Sequence, residues 1–143
     1  ASGQRAILAS GWADTDHNQE SKDIFVVQSV PHEWLFPRVT AVVHHGGAGT
    51  TAAGLRAGKP TIICPFVGDQ PFWGKRIHDL GVGPMPIPQR KITADNLAAA
   101  ISQVVRDTTM QHCAVELAQQ INSEDGTACA IGHITAVPQT RYR

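Results

Sequence analysis

The residue types best able to do chemistry sit in one short stretch, His44-His45-Gly46-Gly47-Ala48-Gly49-Thr50-Thr51. It follows an apolar run and opens a helix-like segment, with three glycines in the four positions 46–49. Glycines let backbone N–H groups approach an anion, and a helix N-terminus adds partial positive charge. The hydroxyls of Thr50 and Thr51 can donate to phosphate oxygens. A tight strand-to-helix turn explains one glycine, but not three beside two threonines and a histidine. Composition and position together describe a phosphate cradle.

Which phosphate ligand it takes stays open at this level. Gly47-Ala48-Gly49-Thr50-Thr51-Ala52 fits the G-x-G-x-x-G/A dinucleotide fingerprint, and Asp69 lies 20 residues after Gly49. Against that, the fingerprint normally follows the first strand of its unit, and here two apolar runs precede it. No G-K-[S/T] follows, so a Walker loop is absent. A second stretch, Pro65-Phe66-Val67-Gly68-Asp69-Gln70-Pro71, places a carboxylate and an amide side by side. Such a pair can hydrogen-bond several sugar hydroxyls. Asp69 alone reads equally well as an N-cap with Pro71 in the first turn. Gln70 gains nothing from capping, so the pair favours a ligand.

Four apolar runs must position these loops: Ala6-Ile7-Leu8-Ala9, Ile24-Phe25-Val26-Val27, Ala41-Val42-Val43-His44 and Thr61-Ile62-Ile63-Cys64. They are continuous rather than alternating, as in parallel strands covered on both faces. Val82 to Ile87 is a weaker fifth, demoted by Pro84 and Pro86 to an edge or extended loop. Helices are expected over Thr50 to Ala57, and between Asp69-Gln70-Pro71 and Leu80-Gly81. Thr93 can cap a helix whose Leu97, Ile101, Val104 and Val105 share a face. Met110, Cys113, Ala114, Leu117, Ala118 and Ile121 keep the same period in the next. Gly126 precedes a last helical stretch through Ile131 and Ile134. Strand–helix alternation of this kind predicts an α/β fold with a doubly wound, Rossmann-like parallel sheet. Ligands then bind at the carboxyl ends of the strands.

The balance of the chain excludes several classes. In 143 residues, 42% hydrophobic and 17% charged, twelve basic side chains face twelve acidic ones. One ordinary core fits that length, and no basic footprint for nucleic acid is present. No apolar run reaches the length of a bilayer span. Cys64 and Cys113 fall in apolar patterns and, with Cys129, make an odd, scattered set suited to a reducing, cytoplasmic setting. The N-terminus has neither a signal pattern nor an initiator Met, and reads as a piece of something longer.

With both blocks in view, the chain resembles the UDP-dependent glycosyltransferases, and within them the sterol glucosyltransferase branch. His45-x-Gly47, Thr50, Gly58-x-Pro60, Pro65 and Asp69-Gln70 carry the resemblance, which spans roughly residues 6–135. It implies a GT-B enzyme of two facing Rossmann-like domains, of which residues 1–143 are the C-terminal, donor-binding half, without its first strand. UDP-glucose is the implied donor, and no metal is required. The resemblance assigns His45 to the diphosphate, helped by Gly47, Ala48, Gly49 and Thr50. It assigns Asp69 and Gln70 to the glucose, and Ser29, Val30 and His32 to the segment that meets uracil and ribose. Where the plant subfamily has a stacking Trp this chain has Ser29, and where it has a ribose-binding Glu this chain has Ala53. The implied reaction is glucose transfer with inversion to a sterol or similar lipophilic alcohol. Its base would lie in an N-terminal acceptor-binding domain, of the same or a partner chain, so this chain contributes no catalytic residue and is expected to be inactive alone. His32, His44 and His78 are poor candidates for that base. A cytoplasmic location is expected, and a membrane-peripheral position of the whole protein is compatible with it.

Other signals carry less. Asp14-Thr15-Asp16 mimics a D-x-D metal motif, and Asp14, Asp16 and Asn18 mimic an EF-hand start, but Gln19 and Phe25 stand where Gly and Glu are needed. The stretch Trp12 to Asp23 reads as a solvated loop. His44 and His45 cannot share a metal, because adjacent strand residues face opposite ways. Trp34 and Trp73 read as core or inter-domain packing. Two rival functions remain beside the transferase half: a standalone nucleotide-sugar subunit that recruits its acceptor half, and an NAD-binding domain.

Overall fold

The computed structural model describes residues 2–10 and 22–136. All four apolar runs form strands. β1 (Ala6–Ala9) pairs in parallel with β2 (Ile24–Val27), Ala6 opposite Ile24. β3 (Val42–His44) pairs in parallel with β4 (Thr61–Ile63), Val42 opposite Thr61 and His44 opposite Ile63. No described strand joins the two pairs. The loop expected over Trp12 to Asp23 falls, up to position 21, outside the described residues, and so do the two acidic motif mimics.

Six helices occupy the described residues: α1 (His32–Leu35), α2 (Ala48–Arg56), α3 (Gln70–Asp79), α4 (Ala94–Arg106), α5 (Thr108–Ser123) and α6 (Gly126–Ala136). α2 starts two residues earlier than the sequence suggests, at Ala48 instead of Thr50. Thr93 caps α4 as expected: its Oγ1 accepts from Asn96 N at 3.2 Å, while Asn96 Oδ1 accepts from Thr93 N at 2.9 Å. This reciprocal pair satisfies two N–H groups that helix geometry leaves without partners.

β4 is covered on both faces. Ile62, 0% exposed, packs with Ala100, Val104 and Met110 from α4 and α5, flanked by Leu97, Ile101 and Val105. On the other side Ile63 packs with Ile77, Val82 and Ala114, flanked by Cys113 and Leu117. Burying such a side chain contributes roughly 1.5–3 kcal/mol. β1 and β2 depart from the same expectation: Ile7, Leu8 and Ile24 are about half exposed and Phe25 is 68% exposed. Helices α2, α3 and α4 pack on β4, and α2 and α4 pack on α5, so the covering layer is spent there.

The stretch Val82 to Ile87 forms no strand, yet it lies along β4. Thr61 N donates to Val82 O, and Ile87 N donates to Ile63 O, both at 3.0 Å. Pro84 and Pro86 have no N–H to complete a ladder, which is why the segment stays an extended edge. α6 forms, but Ile131 and Ile134 are exposed, so its apolar residues build no core. Cys64 is buried, Cys113 half-buried and Cys129 exposed, all as free thiols, and burial pushes the Cys64 thiol up.

Candidate functional site at the strand carboxyl ends

The parallel register of β3 and β4 sends both following loops out at the same end. Cys64 N donates to His44 O at 2.8 Å and keeps the two chains together as they leave the pair. Beyond His44 the backbone turns through Gly46 at φ +96°, a left-handed conformation that favours glycine. A Cβ there would stand 2.7 Å from Ile63 Cγ2 and 3.2 Å from the Gln70 carbonyl oxygen. The turn is therefore wedged between β4 and the start of α3. At Gly47 a Cβ would lie 2.7 Å from His45 Nε2, so the His45 ring folds back over the helix start and a side chain at position 47 would push it aside.

α2 opens with Gly47 as its N-cap, without any side-chain cap and without an acidic residue in its first turn. Thr51 N makes the first helical bond, to Gly47 O at 2.9 Å. The N–H groups of Gly47, Ala48, Gly49 and Thr50 precede that bond, so helix geometry gives them no acceptor. These are the four cradle residues named from the sequence, and His45 stands exposed beside them. Thr51 belongs elsewhere: its Oγ1 donates to Gly47 O at 2.9 Å and the residue is buried. Its hydroxyl is a structural clamp, not a phosphate donor. Thr50 alone keeps that possibility.

The second block is held by its own side chains. Gln70 Oε1 accepts from Phe66 N at 2.7 Å and from Val67 N at 3.1 Å. Gln70 has no capping duty, as expected, but it closes the turn that leads into α3. Its Nε2 group has no acceptor among the described residues. Asp69 occupies the N-cap position, but its side chain caps nothing. Instead Oδ2 accepts from Trp73 Nε1 at 2.9 Å, which leaves Oδ1 for another donor. Trp73 thus serves the site as well as packing edge-on against Phe72, with ring centroids 5.2 Å apart.

The third segment follows β2. Val30 packs with Leu35, Phe36 and Val42, which ties it to the start of β3. His32 stacks on Phe36, centroids 4.5 Å apart, and lies near enough to His44 to act on its charge. Ser29 is exposed. Trp34 is exposed too, under the Arg38 guanidinium at 4.5 Å, and is no core residue.

His44 differs from its neighbour. Its Nδ1 accepts from Gly46 N at 3.0 Å, so in the neutral ring the proton sits on Nε2, a buried atom with no partner among the described residues. Burial, then the charges of His45 and His32, push its pKa down to about 4. The two rings stand 6.1 Å apart and nearly perpendicular. No group of three or more His, Cys, Asp or Glu side chains that could hold a metal occurs among the described residues. Clefts of about 220 Å³ beside Cys113 and 350 Å³ beside Lys59 share no residue with these three segments.

Structural neighbours define the class first: this is the Rossmann-like architecture of GT-B glycosyltransferases. The fold superimposes on the glycosyltransferase of kitacinnamycin with TM-score 0.82 and 26% identity, covering 91% of this chain and 34% of that one. Glycosyltransferase VinC, solved in complex with DTDP, matches with TM-score 0.74 at 22% identity, over 80% and 29% of the two chains. Residues 11–136 match the family described as erythromycin biosynthesis protein CIII-like, C-terminal domain, and the chain belongs to that family. Among curated proteins, a sterol 3-beta-glucosyltransferase of Arabidopsis thaliana is 50% identical over 129 residues, 90% of this chain and 20% of the relative. Another from Eremothecium gossypii is 46% identical over 136 residues, 90% of this chain and 11% of the relative. The chain thus spans a fifth or less of the length of these relatives.

Proposed function

We propose that the chain is the donor-binding part of an inverting, UDP-glucose-dependent glucosyltransferase that acts on a sterol or similar lipophilic alcohol. The observation that carries this reading is the open helix start: four N–H groups without acceptors among the described residues, beside His45 and across the Gly46 turn from Gln70. A diphosphate fits the first part, and sugar hydroxyls fit the second. Asp69 Oδ1 can accept from a hydroxyl, and Gln70 Nε2 can donate to one. Ser29, Val30 and His32 would line the nucleoside end. The similarity to sterol 3-beta-glucosyltransferases supports the acceptor class, and it does not favour an NAD-binding domain or a standalone subunit.

In the reaction, the acceptor oxygen forms a bond to the anomeric carbon while the bond from that carbon to the phosphate oxygen breaks. The departing UDP keeps the electron pair. N–H groups aimed at the diphosphate stabilise the charge that grows there. The acceptor proton passes to a base outside this chain, in an acceptor-binding domain that the remaining length of the relatives has room for. The test is calorimetric titration of the chain with UDP, UDP-glucose and NAD, with and without chelator. UDP and UDP-glucose are expected to bind, weakly and without metal, because only one wall of the cleft is present. Preference for NAD, a strict Mg²⁺ requirement, or sterol glucosylation by this chain alone would each refute the proposal.

A further inference from the structure

The wedge at Gly46 depends on a residue that the proposed function leaves unused. Its φ of +96° is open to glycine without strain, one of several conformations a glycine can take, and nothing in helix geometry fixes the amide that precedes the cradle. The Gly46 N–H points to His44 Nδ1 at 3.0 Å, two residues back. This is the ring equivalent of an Asx turn, in which an Asn or Asp oxygen accepts from the N–H two residues on. Gly46 also sits close against both neighbouring structures, since a Cβ on it would run into Ile63 of β4 and the Gln70 carbonyl. A shift of this one amide therefore moves the cradle relative to the sugar segment.

We propose that His44 is a positioning residue: by accepting the Gly46 N–H at Nδ1 it locks the left-handed turn that sets the α2 start against Gln70. The inference rests on the donor reading above for its effect on ligands, but not for the lock itself. A ring acceptor works only while it is unprotonated, and the half-buried imidazole meets that condition at neutral pH. Burying Nε2 without a partner costs free energy. The lock offsets that cost, which makes a mere packing role a poor account of a histidine here.

The test uses the whole chain and a nearly isosteric pair of variants. His44→Asn keeps an acceptor for an N–H two residues on, whereas His44→Leu does not. UDP affinity is expected to stay within about threefold in His44→Asn and to fall about tenfold or more in His44→Leu, the scale of one lost hydrogen bond. Uridine, which makes no diphosphate contact, should show a smaller loss. If both variants bind UDP as the wild type does, or both lose equally, the lock is disproved. Should the wild type bind no UDP, the donor reading fails instead, and hydrogen exchange decides the lock. Gly46 N–H should then be protected in wild type and His44→Asn but open in His44→Leu; equal rates overturn the proposal. If His44→Leu does not fold, the wild type decides alone by imidazole ¹⁵N spectroscopy. A bare Nδ1 coupled across the bond to Gly46 N–H supports the lock, and a protonated Nδ1 removes it.

Discussion

The two strand pairs have the same kind of sequence and opposite surroundings. Ile24-Phe25-Val26-Val27 in β2 is as apolar as Thr61-Ile62-Ile63 in β4, and both pair in parallel. Yet β4 is wholly buried, while in β2 Ile24 and Phe25 are exposed and Val26 and Val27 only half-buried. A continuous apolar run states that a strand tolerates cover on both faces. Whether cover arrives depends on other elements, and here α2, α3, α4 and α5 supply it around β4. The site follows the same division: its two best-built loops leave β3 and β4, and the segment assigned to the nucleoside leaves β2.

The sharpest way to break this contrast is truncation in each pair. Ile63→Ala should cost about 2–5 kcal/mol in denaturant unfolding, since it removes buried methyl groups and the wall behind Gly46. Leu8→Ala in β1 should cost much less; comparable losses would mean that the pairs share one core. Acid provides the next largest effect. The unfolded chain protonates His44 near 6.5 and the folded chain near 4. Stability contributed by the neutral ring is therefore complete above that window and declines as pH falls through it, by about 3 kcal/mol at pH 4. Removing the ring as His44→Asn should flatten this part of the pH–stability curve.

Binding effects come after these. His45→Ala is expected to weaken UDP by about 1–3 kcal/mol and uridine by less, because its partner is the diphosphate. Equal loss for both ligands would assign His45 to packing over Gly47. Gln70→Ala breaks two hydrogen bonds to the loop and should lower stability by about 0.5–1.5 kcal/mol in addition to weakening UDP-glucose. Asp69→Asn is the mildest. Its side chain caps no helix N–H, so melting temperature and UDP affinity should hardly move, while the advantage of UDP-glucose over UDP disappears. A drop in melting temperature with that advantage intact would make Asp69 a partner of Trp73 and nothing more.

Much of the fold is legible in the residues alone. The box at Thr93 and Asn96, the stripe of α5 and the role of the prolines after Val82 are local patterns, and local patterns fold as written. The cradle is legible for the same reason, since glycines at a strand-to-helix turn act through the backbone. Side chains that turn back on their own loop are not. Nothing in the spacing tells that Thr51 clamps Gly47 while Thr50 stays free, for both hydroxyls suit a phosphate. Capping rules leave Gln70 idle because they look forward into the helix, and its oxygen reaches backward to Phe66 and Val67. His44 makes a poor base, and its two-residue spacing to Gly46 is the one hint in the sequence of another duty.

The grip of Gln70 on its loop also fixes which way round its amide lies. Two N–H groups converge on one terminal atom, so that atom is the oxygen, and the NH₂ end is the part left over. Flipping the amide would set donor against donor twice. Gln70 therefore offers a visiting molecule hydrogens and never lone pairs, whereas the free oxygen of Asp69 next to it offers lone pairs and never hydrogens. A hydroxyl, being both donor and acceptor, can satisfy the two at once. Polarity is written into the loop before any sugar arrives, and Gln70→Glu, which keeps the grip but has no hydrogens to give, would erase half of it.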